Sequence, residues 1–193
     1  TVTTGQTITS NDSDIIITAW DIDMDGGASS GTRAMSMHGS QSTQTIGIGA
    51  TAKDMHIESE ELQRITTGEG LRVGGSEGGS IVVNGVTAAG SNTVTPMLSL
   101  VAAKTFSNIL FTTAPSTFHS VAAQADNGIS LQVDLTLLSN QLYLNADMHT
   151  TASTNNINFA PNRVIRAQTV LTLEASHYLA PAGKLTLFAG AGI

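Results

Sequence analysis

Apolar and polar residues alternate in this chain for only three to five positions at a time before small or turn-forming residues intervene. The runs include Ile15-Ile16-Ile17, Met35-Ser36-Met37, Ile46-Gly47-Ile48, Met55-His56-Ile57 and Leu71-Arg72-Val73, and they continue to Leu185-Thr186-Leu187. A period of two is the signature of a strand with one buried face. Between the runs stand Gly26-Gly27, Gly74-Gly75, Gly78-Gly79, Asn84-Gly85 and Asn127-Gly128, which supply backbone positions tolerant of positive φ. The chain is therefore expected to be all-β.

Strands this short suit two architectures. A β-sandwich would join them as hairpins through two-residue Asn-Gly or Gly-Gly turns, and its strands would more often reach five or six residues. A parallel β-helix stacks each short strand on the one a coil below, so three to five residues suffice. Adjacent runs begin roughly 7 to 15 residues apart, which predicts coils of about 18 to 24 residues with two or three strands each. The primary expectation is a right-handed parallel β-helix over residues 1–193 as a single domain, with the β-sandwich as the alternative. About 9 or 10 such coils would make a rod on the order of 45 Å long. His38 and His56 lie one coil apart on this spacing, as do Asn108, Asn127 and Asn145, whose amides would then form a ladder. Two stretches fit less well and are candidate inserts. Residues 53–64 carry Glu58, Glu60 and Glu61 beside Leu62, suggesting one helical turn or a flanking loop, and residues 93–104 begin near Pro96, suggesting a short capping helix or a strand. Pro161 and Pro181 follow strand-like runs and are expected to set bends.

Composition narrows what covers such a fold. Only 12% of residues are charged, against about a quarter in an ordinary soluble domain, so Thr, Ser, Asn and Gly must form the surface. The net charge is -7, and the eight basic residues are scattered, which argues against a nucleic-acid partner. No cysteine is present, so no disulfide or thiolate site is available, and no run is long enough to span a bilayer as a helix. Both ends run into the repeat pattern, which reads as a processed protein or part of a longer chain.

Leu171-Thr172-Leu173-Glu174-Ala175 and Gly183-Lys184-Leu185-Thr186-Leu187-Phe188-Ala189-Gly190 show the pattern of short strand, small residue and glycine at its plainest. In this style the chain resembles the repeat regions of filamentous-haemagglutinin-like and autotransporter-like surface proteins. The resemblance implies a right-handed parallel β-helix, secretion to the cell surface, and a stalk, adhesin or filament role. It carries over no residue-by-residue motif.

Asp21, Asp23 and Asp25 followed by Gly26 match the first half of a calcium loop, with Thr32 at the twelfth position where a bidentate Glu is expected. No cofactor is expected apart from calcium at this triplet, and His38 and His56, stacked across coils beside Asp54 and Glu58, would offer a weaker zinc-like or proton-responsive site. A strand reading explains the same triplet, with Trp20, Ile22 and Met24 inward and the carboxylates outward. His38, His56, His119, His149 and His177 lack the spacing of metal ligands on one turn, and no serine sits in a nucleophile elbow. Glu58, Glu60, Glu61, Asp126, Asp134 and Asp147 could supply a carboxylate pair for polysaccharide cleavage. The aromatic residues that would line a sugar groove amount to only 4% of the chain, and Trp20, Phe111 and Phe159 are expected to face inward, leaving Tyr143 and Tyr178.

The sequence thus points to a non-enzymatic extracellular or cell-surface structural protein. Its open strand edges would favour end-to-end or lateral self-association into a filament, stalk or sheath. The alternative is an adhesin or carbohydrate-binding module, recognising a host or surface carbohydrate or protein through 53–64 or 93–104. A polysaccharide-degrading enzyme is a third reading.

Overall fold

The computed structural model describes residues 1–149 and 155–193. From the N-terminus, β1 (Thr7–Thr9), β2 (Ile15–Ala19), β3 (Gly27–Ser29) and β4 (Met35–Gly39) precede β5 (Ile46–Gly49), β6 (Met55–Ile57) and the short helix α1 (Ser59–Gln63). Next come β7 (Ile65–Thr66), β8 (Leu71–Gly75), β9 (Ile81–Asn84), the one-turn helix α2 (Ala88–Ser91), β10 (Leu98–Ala102), β11 (Ile109–Phe111) and β12 (Ser116–Phe118). The remainder holds β13 (Val121–Ala125), β14 (Ile129–Leu131), β15 (Leu135–Leu137), β16 (Leu142–Asn145) and β17 (Ile157–Phe159), then β18 (Arg163–Ala167), β19 (Leu171–Glu174), β20 (Leu179–Pro181) and β21 (Leu185–Ala189).

These strands form a seven-stranded first sheet, β2-β4-β8-β10-β13-β16-β19, and a seven-stranded second sheet, β6-β5-β9-β11-β14-β17-β20. A third side has two pieces, β1-β3-β7 and β12-β15-β18-β21. Between the pieces lie the Thr67–Val94 bridge and the two helices, α1 packed on α2 and α2 on β12. Every ladder among the described residues is parallel. The protein is all-β and built of parallel sheets. Hairpins of a β-sandwich are not found among the described residues: Gly128 (φ 91) turns the chain from β13 in the first sheet to β14 in the second, and Gly85 (φ 64) leads it from β9 towards α2.

Register explains the sequence pattern. In the second sheet Ile46 pairs with Ile81, Ile81 with Ile109, Ile109 with Ile129 and Ile129 with Ile157, so five isoleucines stack in one buried column. In the first sheet Met35, Leu71, Leu98, Val121, Leu142 and Leu171 do the same. The buried apolar residues form one cluster from Met24 to Leu171. β-branched, leucine and methionine side chains stacked at the strand spacing of about 4.8 Å fill most of the interior, with Phe111, Phe118 and Phe159 as its largest buried members. Gly74 (φ 87) lets β8 lie close to β10, since a Cβ there would stand 2.2 Å from the Val101 carbonyl oxygen.

Several expectations are corrected. Partners are not spaced by a uniform 18 to 24 residues: Ile15 pairs with Met35, 20 positions on, and Met35 with Leu71, 36 on. Seven strands, not 9 or 10, stack in each long sheet. The wide interval contains β6 and α1, where the chain turns back so that β6 pairs with β5 on the edge of the second sheet. Asn108 precedes Ile109, which pairs with Ile129, so Asn108 is level with Gly128 and not Asn127; Asn145 pairs with Gln124 and Glu174, and no ladder of the three asparagines forms. His38 lies in the first sheet and His56 in the second. Residues 98–102 form strand β10, paired on both sides, and the helix lies earlier, where Thr87 caps α2 by accepting the Gly90 N–H at 3.1 Å. Pro181 ends edge strand β20, a position that tolerates a missing N–H. No helix among the described residues is long and apolar enough to cross a membrane.

Candidate functional site

The two ends of the strand stack carry the most unusual surface. Among the described residues ten large apolar side chains are exposed, and eight of them lie towards the two ends of the chain: Ile8, Ile16 and Trp20 at one end, and Val170, Tyr178, Leu179, Phe188 and Ile193 at the other. Trp20, expected inside, is 55% exposed, while Phe111 and Phe159 are buried. The edges themselves are one-sided. Among the described residues β2 pairs only with β4, β1 only with β3, β20 only with β17 and β21 only with β18. Leu173 and Leu187 on the last strands are half-buried, although their register partners Leu144 and Ile165 are fully covered. An inward position with a rung on one side only leaves apolar surface in water, and unpaired N–H and C=O groups beside it make a template for another strand.

An acidic cleft of about 370 Å³ lies at the N-terminal end, lined by Asp21, Asp23, Asp25, Glu58, Glu60 and Glu61 together with His56 and Arg64. Its residues act mainly as staples. Asp21 Oδ1 accepts the N–H of Ile22 at 2.9 Å and of His56 at 2.8 Å, closing the outer edge of β6. Asp23 accepts the Thr1 hydroxyl. Glu61, only 8% exposed, accepts the N–H of Met24 at 2.7 Å and of Glu58 at 2.8 Å, and Arg64 donates to the Met24 carbonyl. Burial raises the Glu61 carboxyl above the ordinary glutamate range, against the pull of the two N–H groups. Residues 20–25 run without regular strand, with Met24 buried and Ile22 half-buried, so the strict in-out alternation expected there is incomplete. Among the described residues no group of three or more His, Cys, Asp or Glu is placed to hold a metal, so Asp21, Asp23 and Asp25 do not converge as calcium ligands. Asp21 spends its carboxylate on the backbone.

The other candidates are dispersed and engaged. Asp126 meets His149 at 3.1 Å, Asp134 accepts the Val164 N–H and lies 3.5 Å from Arg163, and Asp147 accepts from the Asn155 side chain. His38 contacts the Thr18 hydroxyl, His56 the Gly49 carbonyl, and the His177 ring stacks at a tilt on Tyr178. Tyr143 donates to Glu174 and is only partly exposed, with burial raising its hydroxyl above the usual tyrosine range. Among the described residues no buried side-chain N or O lacks a partner.

On the outer face of the first sheet lies a trough of about 640 Å³, lined by Ser36, Arg72, Pro96, Met97, Ser99 and Asn140 among others. Strand register sets Ser36, Arg72 and Ser99 in one outward row. Arg72 makes no ion pair among the described residues, whereas nearby Arg33 pairs with Glu69 and Lys104 with Glu77. Nothing in the sequence pattern singled out Arg72, because the row exists only through register. Comparison with known proteins finds no matching family model, no matching curated protein and no matching solved structure.

Proposed function

We propose that the chain is a right-handed parallel β-helix and that it serves as an extracellular or cell-surface structural protein, building a filament, stalk or sheath by stacking of its units. The observation that carries this reading is the concentration of unpaired strand edges and exposed apolar side chains at the two ends of an otherwise continuous stack of parallel strands. The repeating order of sheets favours a helical winding, since parallel strands need crossovers and most crossovers here run through strands of the other sheets. The resemblance to filamentous-haemagglutinin-like repeats supports the surface location. The acidic, Ser- and Thr-rich flanks suit a shaft that stays dissolved.

Electron microscopy of the purified chain, with light scattering across concentration, tests the proposal. Filaments or end-joined rods are expected. Isolated particles at every concentration would overturn the assembly role.

A second reading, an adhesin shaft that binds carbohydrate, is favoured by one observation, the trough lined by Arg72, which makes no ion pair among the described residues. A glycan array with the parent chain and Arg72→Ala separates it from the first reading: glycan binding lost in the variant supports it, and no binding by the parent removes it.

A further inference from the structure

We infer that the acidic N-terminal end of one copy seats on the basic C-terminal end of a second copy, so that the chain assembles head to tail with a single polarity. This rests on the structural reading above and adds the partner surface and its direction.

Strand direction comes first. Each side of the stack begins and ends in one strand: β2 and β19 on the first sheet, β6 and β20 on the second, β1 and β21 on the third side. All internal ladders are parallel, so a second copy laid with its first strands on β19 and β21 repeats the pairing used throughout the chain. Two like ends brought together would have to pair antiparallel. A contact between unlike surfaces that does not close on itself generates a fibre. The first sheet already begins another rung, because Gly192 bridges Val170 and its carbonyl accepts the Leu171 N–H at 3.0 Å. The second sheet contributes less, since Asp21 occupies the His56 N–H on the edge of β6 and Pro181 has no N–H to offer. The first sheet and the third side are therefore the pairing edges.

Charge agrees with this direction. Residues 1–30 contain Asp12, Asp14, Asp21, Asp23 and Asp25, all exposed, with no Lys, Arg or Glu. Residues 155–193 contain Arg166 and Lys184, and Arg163 paired with Asp134, against Glu174 alone. Like ends would set acid on acid or base on base, whereas laying β1 of one copy on β21 of the next sets Lys184, beside β21, two strand spacings or about 10 Å from Asp25, beside β3. That is close to the screening length of about 8 Å in physiological salt, so the attraction strengthens as ionic strength falls. The net charge of -7 meanwhile disfavours packing along the flanks. Apolar surface lies beside the charges at both ends, with Ile8, Ile16 and Trp20 at the head, and at the tail Phe188, whose ring carries the Arg166 guanidinium at 4.0 Å.

A charge-swap mixing experiment tests the inference. A tail variant, Arg166→Glu with Lys184→Glu, and a head variant, Asp23→Lys with Asp25→Lys, are followed by light scattering and electron microscopy, with circular dichroism and melting temperature as folding controls. Asp21 and Glu61, whose carboxylates hold backbone N–H groups of the first turns, stay in place, and Asp23 loses only the bond from the Thr1 hydroxyl. Each variant alone is expected to need roughly tenfold more protein than the parent before it assembles. An equimolar mixture should restore assembly at the parent concentration, since each reversed end then meets a complement. Folded variants that assemble as the parent does, or a mixture that stays as weak as its components, would overturn the head-to-tail contact while leaving a stacking fibre in place. A parent that never assembles would overturn the structural reading itself.

Discussion

Glu61 shows how much a single side chain does at the start of the stack. Its carboxylate reaches from α1 to the Met24 N–H and back to the Glu58 N–H, tying residues 20–25 to the helix that covers them. Burial favours the protonated form and the two N–H donors favour the ionised one, and burial prevails, so the folded-state carboxyl titrates above its unfolded value. A raised carboxyl means that the folded state holds more protons between the two values. Its contribution is therefore fully present below the unfolded value and is lost as pH rises through the folded one. Carbon-detected NMR titration should place the Glu61 midpoint above the ordinary glutamate range, and Glu61→Gln should remove this part of the pH dependence while costing about 1 kcal/mol for the N–H left without an acceptor. A midpoint in the ordinary range would show that the two hydrogen bonds outweigh burial. Asp54 moves the opposite way, held down by the Thr45 N–H and then the Thr45 hydroxyl.

At the scale of the strand, the buried columns set stability. Ile109 is fully buried in β11, between Ile81 and Ile129 in neighbouring strands. Ile109→Ala removes contacts to both, and rigid stacked neighbours cannot close the gap, so a loss of about 2–5 kcal/mol is expected in denaturant unfolding. Ile16→Ala, on an exposed position of β2, should cost under about 0.5 kcal/mol. A similar loss at both positions would mean the columns are not packed as described. The alternating runs made these strands legible in the sequence because one side chain in two must meet a column. Their partners were less legible. Register depends on how much chain each crossover consumes, and α1, α2 and the turn-back to β6 vary that length from one turn to the next. Equal spacing of His38 and His56, or of the asparagines, therefore carried no information about stacking. The Asp triplet was legible as an acidic run but not the use of Asp21, whose carboxylate accepts the Ile22 and His56 N–H groups, the second from a strand 35 positions on.

For the whole molecule, a stack of short parallel strands has no single centre; each strand is supported by the one before and the one after. Middle strands such as β10 and β13 are paired on both sides and their inward residues are covered, whereas β1, β2, β20 and β21 are paired on one side. Such quasi-one-dimensional structures have local stabilities that sum over neighbours, so opening should begin at the ends and move inward. Hydrogen exchange followed by mass spectrometry should give the slowest amides between residues 71 and 145 and the fastest in 1–19 and 179–193. The gradient also reports on assembly. If copies join head to tail, raising the concentration until fibres form should slow exchange at both ends together, because the two ends meet in one contact, and should leave the middle unchanged. Slowing confined to one end would point to a different partner surface, and uniform exchange along the chain would contradict the stacked organisation.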